Sequence, residues 1–252
     1  MTIKAVTFDL WDTLVADDSD EPKRKARGLR SKREERRYQV WRALDDADAI
    51  DPAIVSLAYD VAEAGFNMVW KEQHINWTVA QRLRVILNGL GRSLPDSVFQ
   101  RLVADHGRME VAIPPDPIDG VEAALERLSG RYKLAVVSDA IVTPGTGLRA
   151  ILEGHGLARY FSGFAFSDEV GHSKPHRSMF ESAAGQLGVG LDEIVHIGDR
   201  DHNDVKGPHA LGAKAILFVA TRDVDKDATT ADAVCASYRE LPAIVDRLSA
   251  GN

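Results

Sequence analysis

Short apolar runs that end on small polar or acidic residues recur along the chain, once at its start and repeatedly after residue 109. They are IKAVTFDL, YKLAVVSD, FSGFAFSDEV, EIVHIGD and AKAILFV. Runs of about four to eight such residues are typical of buried strands. Segments with helical spacing, such as GVEAALERLSG, SMFESAAGQLG, VKGPHALG and SYRELPAIVDRL, separate or follow them. Strands that alternate with helices predict an α/β fold with a parallel sheet.

Residues 17–108 follow a different pattern, in which apolar positions recur every three to four residues. Val40, Trp41 and Leu44 show this spacing, and the proline-rich stretch AIPPDPIDG closes the region. The pattern predicts an inserted all-helical domain over 17–108, and an α/β core domain over 1–16 and 109–252. Within the insertion we expect Trp41 and Trp70 to lie in the core, whereas Trp77 has a less periodic setting that would let it face a ligand.

Composition excludes several classes of protein. Of 252 residues, 44% are hydrophobic and 27% charged, which is ordinary for a globular chain. A single cysteine, Cys235, excludes an intramolecular disulfide and a thiolate-rich metal site. Because no apolar run approaches the roughly 18 residues that span a bilayer, and the amino terminus has no signal-peptide pattern, we expect a soluble cytoplasmic protein without membrane partners.

The net charge of −7 is unevenly distributed. Residues 23–37 hold nine basic and two acidic side chains, a local charge of +7, so the rest of the chain carries −14. The favoured interpretation is a solvated surface, followed by recognition of an anionic substrate, for which arginine is well suited. Binding of nucleic acid ranks a distant third, because no motif for it is present.

The ends of the predicted strands are the strongest pointer to function. They read Asp9, Ser138-Asp139, Ser167-Asp168 and Gly198-Asp199. Parallel sheets bind ligands at the carboxyl ends of their strands, and carboxylates are the oxygen ligands that hard divalent cations prefer.

Four short motifs carry a family resemblance. FDLWDTL at 8–14, Ser138 at the end of LAVVS, Lys174-Pro175 and IGDRDHND at 197–204 resemble, in order and spacing, the haloacid dehalogenase-like (HAD) hydrolase superfamily. The resemblance covers the whole chain. It implies a Rossmann-like core with a helical cap after the first motif, and Mg²⁺-dependent hydrolysis of a small phosphorylated compound.

The resemblance also implies roles for particular residues. Asp9 would be both metal ligand and nucleophile, forming an aspartyl phosphate. Trp11, through its main-chain carbonyl, and Asp199 would complete the metal ligands; Asp204 belongs to the same acidic set but is better suited to position Lys174 or a metal-bound water. Ser138 and Lys174 would hold the phosphoryl oxygens.

One position departs from the phosphatase pattern. Phosphatases of this family carry a second aspartate two residues after the nucleophile, as the acid for the leaving group, and here that position is Trp11. Asp12, His202 or a cap residue could replace it, the substrate could supply the proton, or the leaving group could need none. Haloacid dehalogenases proper have an aromatic residue there, so a metal-independent dehalogenase that uses Asp9 is an alternative. A catalytically inactive binding protein is another. The oligomeric state stays open.

Overall fold

The computed structural model describes residues 2–250 and contains one six-stranded sheet. All of its strand pairs are parallel, and the spatial order is β3-β2-β1-β4-β5-β6. The strands are β1 (Ala5–Phe8), β2 (Lys133–Ser138), β3 (Gly163–Phe166), β4 (Ile194–Gly198), β5 (Lys214–Phe218) and β6 (Ala233–Cys235). The predicted α/β fold with a parallel sheet is therefore confirmed.

Helices cover the sheet and form the inserted layer. They are α1 (Asp20–Ala26), α2 (Lys32–Asp45), α3 (Pro52–Gln73), α4 (Val79–Gly89), α5 (Asp96–Ala112), α6 (Val121–Ser129), α7 (Gly145–Gly154), α8 (Ser167–Val170), α9 (Arg177–Leu187), α10 (Gly207–His209) and α11 (Leu241–Ala250). Helix α7 and strand β6 were not predicted. The short helix predicted over VKGPHALG is replaced by a π-helical turn over Asp201–Lys206 that leads into the single turn of α10.

Register brings the strand ends together. The central strand β1 pairs with β2 and β4, so that Phe8 lies beside both Val136 and Ile197. Each of these three strands ends no more than two residues beyond the level of Phe8. Asp9, Ser138 and Asp199 therefore lie at the same carboxyl edge of the sheet. The strands are buried over almost their whole length, as expected when helices cover both faces of a parallel sheet.

Helices α1–α5, inserted between β1 and β2, have an apolar core of their own. It is made of Val40, Leu44, Val55, Tyr59, Ala62, Leu83, Ile86, Leu87, Phe99 and Leu102. Helix α5 runs through Ala112, past the predicted boundary at 108/109. The division into two domains stays a prediction. Within residues 2–250, no helix combines the length and apolar character needed to cross a membrane.

Candidate active site

Three carboxylates converge at the carboxyl edge of the sheet. Asp9 follows β1, Asp199 follows β4, and Asp204 comes from the π-helical turn. One carboxylate oxygen from each lies within 4.8 Å of the others, and all three residues are buried. Like charges this close repel strongly in a low-dielectric setting, so the cluster requires a cation.

Lys174 supplies part of that positive charge. Its Nζ lies 2.7 Å from Asp9 Oδ1 and 2.6 Å from Asp204 Oδ1, and the residue is 4% exposed. Although burial works against a charged amine, Asp204 and Asp9 raise the pKa of Lys174 above its ordinary value. Its backbone N–H donates to Asp139 Oδ1 at 2.9 Å, which holds the loop that carries the lysine.

Asp204 is satisfied at both oxygens. Besides Lys174, Oδ1 lies 3.2 Å from His196 Nε2, and Oδ2 accepts from the backbone N–H of Arg200 at 3.0 Å. Burial favours the protonated form, but the charge of Lys174 and the hydrogen bond from His196 hold the pKa of Asp204 below its usual range. The Asp204 carboxylate can lie this close to the end of β4 only because residue 198 is glycine. A Cβ on Gly198 would lie 2.3 Å from the Asp204 carboxyl carbon.

Asp199 differs, because its Oδ2 is buried with no hydrogen-bond partner among the described residues, and its nearest cation is Arg200, whose Nε lies 3.7 Å away. Burial and the charge of Asp9 raise the pKa of Asp199 to about 8. Burial also raises the pKa of Asp9, although Lys174 opposes the shift. Two destabilised carboxylates and one buried oxygen that accepts no hydrogen bond fit a hard divalent cation, which prefers oxygen ligands. The donor set therefore suits Mg²⁺.

A cavity of about 240 Å³ opens over this cluster. Asp9, Lys174 and Asp204 form its floor together with Trp11. The remaining lining residues are Asp17, Trp70, Glu110, Asp139, Ile141, Val142, Arg200 and Asn203. Acidic side chains outnumber basic ones among the lining residues, which suits a ligand that arrives with a cation.

The helical insertion closes one side of the cavity through hydrogen bonds to the core. Trp70 Nε1 donates to Asp139 Oδ2 at 3.2 Å, and Asn76 Nδ2 donates to the carbonyl of Ala140 at 2.9 Å. The carbonyl of His74 accepts from the backbone N–H of Ser173 at 2.7 Å. These contacts join the end of α3 and the loop after it to the loops that follow β2 and β3.

Trp70 and Trp77 of the insertion do not lie where the sequence pattern placed them. Trp70, expected in the core, is half-buried and lines the cavity. Trp77, expected to be free to face a ligand, packs with its ring 6.2 Å from that of Phe66 and is not among the residues that line the cavity over Asp9. Both expectations about orientation were wrong, because helical spacing does not say which neighbour a partly buried face meets.

The candidate replacements for the missing acid lie elsewhere. Asp12 has a left-handed backbone, with φ of 54°, and its Oδ1 accepts from the backbone N–H of Asp17 at 3.1 Å. His202 is exposed and lines a neighbouring cavity of about 500 Å³, with its ring 6.1 Å from that of His74. Neither is among the residues that line the cavity over Asp9. Their catalytic assignment stays a prediction without geometric support.

Of Ser138 and Trp11, only Trp11 is among the residues that line the cavity over Asp9. Ser138 is fully buried at the end of β2, and its Oγ has no hydrogen-bond partner among the described residues. Trp11 lines the cavity, and its indole Nε1 lies 3.3 Å from the carbonyl of Asp139. The assigned roles of both residues stay predictions.

Several basic side chains of residues 23–37 form ion pairs with acidic residues of the same chain. Lys32 is buried, with Nζ 2.8 Å from Asp20 and 3.0 Å from Glu110. Arg33 and Arg37 pair with Asp60 on α3. Since no residue of the run is among those that line the cavity over Asp9, direct contact with a substrate there has no support from this arrangement.

Sequence reasoning missed three acids of the cavity wall. Asp139 was noted at the end of a predicted strand but was given no role, yet it is 7% exposed and accepts hydrogen bonds from both Lys174 and Trp70. Glu110 and Asp17 were not considered. A signal existed only for Asp139, which directly follows the serine at the end of β2.

The chain belongs to the haloacid dehalogenase-like hydrolase family, whose model matches residues 3–212. It is 28% identical over 212 residues to a glyceraldehyde 3-phosphate phosphatase of Methanopyrus kandleri, covering 83% of this chain and 81% of the relative. Its fold resembles that of a HAD phosphatase from Thermococcus onnurineus, with a TM-score of 0.65, 23% identity, and coverage of 96% and 98% of the two chains. A 2-haloacid dehalogenase from Pseudomonas syringae gives a TM-score of 0.69 at 20% identity, covering 98% and 99%.

Proposed function

We propose that this hydrolase is a Mg²⁺-dependent phosphatase that acts on a small phosphorylated metabolite through an aspartyl phosphate on Asp9. The observation that carries the proposal is the buried cluster of Asp9, Asp199 and Asp204 beside Lys174, in which one buried oxygen of Asp199 accepts no hydrogen bond. The similarity to a relative named glyceraldehyde 3-phosphate phosphatase supports the same reaction type. We further propose that α1–α5 act as the cap that selects the substrate.

In the proposed mechanism, each residue of the cluster has a role that its contacts support. An Asp9 carboxylate oxygen attacks phosphorus while the bond between phosphorus and the leaving oxygen breaks, and water later hydrolyses the acyl phosphate. Lys174 holds Asp9 in place at 2.7 Å and offsets charge on the phosphoryl oxygens. The free Ser138 Oγ is available to donate to the same group. A Mg²⁺ ion held by Asp9, Asp199 and the carbonyl of Trp11 would neutralise the remaining negative charge.

Protonation of the leaving group needs an acid that Trp11 does not supply, and Asp139 is the lining residue best suited to it. Burial raises the pKa of Asp139 to about 6, against the opposing charge of Lys174. A carboxyl group with a pKa near the working pH is an effective general acid. Substrates with good leaving groups, such as acyl phosphates, would bypass this step.

A dehalogenase remains the second candidate, because Trp11 lines the cavity where phosphatases have their second acid. In that reaction Asp9 would displace halide from carbon without a metal. A mechanism without a metal has no use for the buried Asp199 oxygen that accepts no hydrogen bond. We therefore rank the dehalogenase second.

The decisive experiment compares acetyl phosphate, an aryl phosphate and a 2-haloacid as substrates, each with Mg²⁺ or with EDTA. We expect phosphate release that EDTA abolishes and that Mg²⁺ restores. Asp9→Asn should reduce it by at least about 10³-fold. Halide release that is insensitive to EDTA would establish the dehalogenase instead, and absence of any turnover would favour the inactive binding protein.

A further inference from the structure

A second cavity, of about 500 Å³, adjoins the cavity over Asp9. Four residues line both cavities, namely Trp70, Lys174, Arg200 and Asn203, so the two spaces meet beside Lys174. The walls of the second cavity come from the end of α3, the π-helical turn after β4 and the loop after β5. A substrate whose phosphoryl group lies against Asp9 and Lys174 can therefore extend into this second space.

The two cavities differ in the sign of their charge. Five acidic and two basic residues line the cavity over Asp9, namely Asp9, Asp17, Glu110, Asp139 and Asp204 against Lys174 and Arg200. Five basic and two acidic residues line the second cavity, namely Lys71, Lys174, Arg200, Lys206 and Arg222 against Asp201 and Asp225. We call this second space the basic cavity. The surplus of acids suits a cation that accompanies the phosphoryl group, whereas the surplus of bases attracts a further anion.

Some of the positive charge of the basic cavity is neutralised by its own wall. Lys206 Nζ lies 2.8 Å from Asp201 Oδ2, and Arg222 Nη1 lies 2.6 Å from Asp225 Oδ2. These two ion pairs account for both acids of the lining. The remaining positive charge has no acidic partner inside the cavity, so it is available to a ligand.

Lys71 and Arg200 carry this remaining charge, since Lys174 is engaged by Asp9 and Asp204. Lys71 lies exposed in the last turn of α3 and forms no ion pair with the residues that the structure describes. Arg200 lies 3.7 Å from Asp199, the carboxylate that we assign to the metal. Because Lys71 belongs to the insertion and Arg200 to the core, an anion in the basic cavity can contact both regions.

Two imidazoles add hydrogen-bond donors to the same space. His74 and His202 line the basic cavity with their ring centres 6.1 Å apart, and a neutral imidazole can donate one N–H to a carboxylate or phosphate oxygen. His74 ends α3 in a left-handed conformation, with φ of 55°, and its carbonyl accepts from the backbone N–H of Ser173 at 2.7 Å. This hydrogen bond holds the end of α3, and with it Lys71, against the core.

We propose that the basic cavity is a subsite for a second anionic group of the substrate, either a carboxylate or a second phosphate, which Lys71 and Arg200 recognise. The subsite rests on the proposed phosphatase function, because that function fixes where the transferred phosphoryl group lies. It narrows the substrate class to small phosphorylated acids and bisphosphates. Lys71 is then a specificity-determining residue, since it lines the basic cavity but not the cavity over Asp9.

Three aryl phosphates of similar shape test the subsite. They are para-carboxyphenyl phosphate, hydroquinone bisphosphate and, as the uncharged counterpart, para-carbamoylphenyl phosphate. The amide withdraws electrons more strongly than the carboxylate, so a faster reaction of the carboxylate compound does not come from its leaving group. With Mg²⁺ we expect kcat/KM for at least one of the two anionic substrates to exceed that of the amide by about tenfold, mainly through KM. The larger gain identifies the second group as carboxylate or phosphate.

Charge reversal at Lys71 tests the residue that we place in the subsite. Lys71→Glu should lower the preference for the anionic substrate over the amide by about fivefold, because it puts a like charge in the basic cavity. Lys25→Glu is the matched control, since Lys25 is also exposed in the last turn of a helix of the insertion but lines neither cavity. It should keep the wild-type preference. Equal kcat/KM for all three substrates, or a preference that Lys71→Glu leaves unchanged, would overturn the proposal.

A binding measurement separates the subsite from the proposed function. The Asp9→Asn protein with Mg²⁺ is titrated with each of the three compounds in a calorimeter, so that no turnover is needed. At least about tenfold tighter binding of an anionic compound than of the amide supports the subsite. This difference in Kd without hydrolysis by the wild-type chain would contradict the phosphatase function alone, whereas hydrolysis without the difference would contradict the subsite alone.

Discussion

The carboxyl edge of the sheet and the exposed surface of the helical insertion differ in how their charges are paired. At the sheet edge, Lys174 lies within 2.7 Å of the buried carboxylates of Asp9 and Asp204, and one buried oxygen of Asp199 accepts no hydrogen bond. On the insertion, Arg33 pairs with Asp60 at 3.1 Å while both side chains remain more than half exposed. Exposed pairs contribute little to stability, whereas buried charges interact strongly and shift each other's pKa. The many charges of the basic run therefore matter less to chemistry than the few at the sheet edge.

The largest expected effect comes from a substitution at the carboxyl edge of the sheet. Asp199→Asn removes the charge that we assign to the metal while keeping the shape of the side chain. We expect kcat/KM for acetyl phosphate to fall by about 10³-fold, with partial recovery at high Mg²⁺.

Asp201→Asn is the matched control for that variant. Asp201 pairs with Lys206 at 2.8 Å and with Thr229, away from the cavity over Asp9. The activation of the Asp201→Asn variant by Mg²⁺ should match that of the wild-type enzyme. If both variants respond to Mg²⁺ alike, Asp199 is not the ligand.

The next effect is a gain of activity. Trp11→Asp places a carboxylic acid where phosphatases of the family have theirs. For an alkyl phosphate, which needs a protonated leaving group, we expect about 10²-fold faster turnover than in Trp11→Asn. Acetyl phosphate should show little difference between the two variants. Equal rates on both substrates would mean that more than the missing acid separates this site from other phosphatases.

A third prediction concerns the stability of the insertion at low pH. His106 is buried beside Tyr59, and burial together with the charge of Arg36 lowers its pKa to about 3. The unfolded chain, with a histidine pKa near 6.5, takes up a proton first as the pH falls, so the folded state loses stability below about pH 6.5. Between pH 6.5 and 5 the loss should be about 2 kcal/mol.

Urea unfolding at pH 7 and pH 5 checks this prediction. His106→Gln should remove about 2 kcal/mol of the pH dependence. Tyr59→Phe should lower the free energy of unfolding at both pH values but keep the dependence. An unchanged pH dependence in His106→Gln would show that the histidine does not titrate with unfolding.

The smallest effect probes the contact between the two regions. Trp70→Phe keeps the aromatic ring but removes the N–H that reaches Asp139 at 3.2 Å. Loss of a hydrogen bond to a charged group should raise KM by about tenfold with a smaller change in kcat. Trp77→Phe, in the same insertion, should leave both constants unchanged. Identical kinetics in the two variants would show that the hydrogen bond from Trp70 to Asp139 does not contribute to substrate binding.

The sequence predicted the sheet and the acids at its edge for one physical reason. Parallel strands buried on both faces need continuous apolar runs, so their ends are visible as the points where polar residues return. Asp9, Ser138 and Asp199 were found in this way. Strand β6 was missed because it has three residues, and α7 because Pro144, Gly145 and Gly147 at its start are typical of a turn.

The orientation of partly buried side chains was much less predictable. Trp70 and Trp77 do not lie where the sequence pattern placed them, and Asp139 became a contact between Lys174 and the insertion. Lys32 belongs to a run that is mostly surface, yet it is buried against Glu110. In each case the deciding partner is distant in sequence, and local spacing does not identify it.

By itself, the sequence determined the α/β class, the inserted helices and the residue types available for chemistry, because these depend on local periodicity and on which residues end each strand. Only the tertiary structure decided that one buried oxygen of Asp199 accepts no hydrogen bond, that Asp139 faces the cavity and that a basic cavity adjoins it. These properties depend on burial and on contacts between distant segments, and burial is what converts a carboxylate into a functional site.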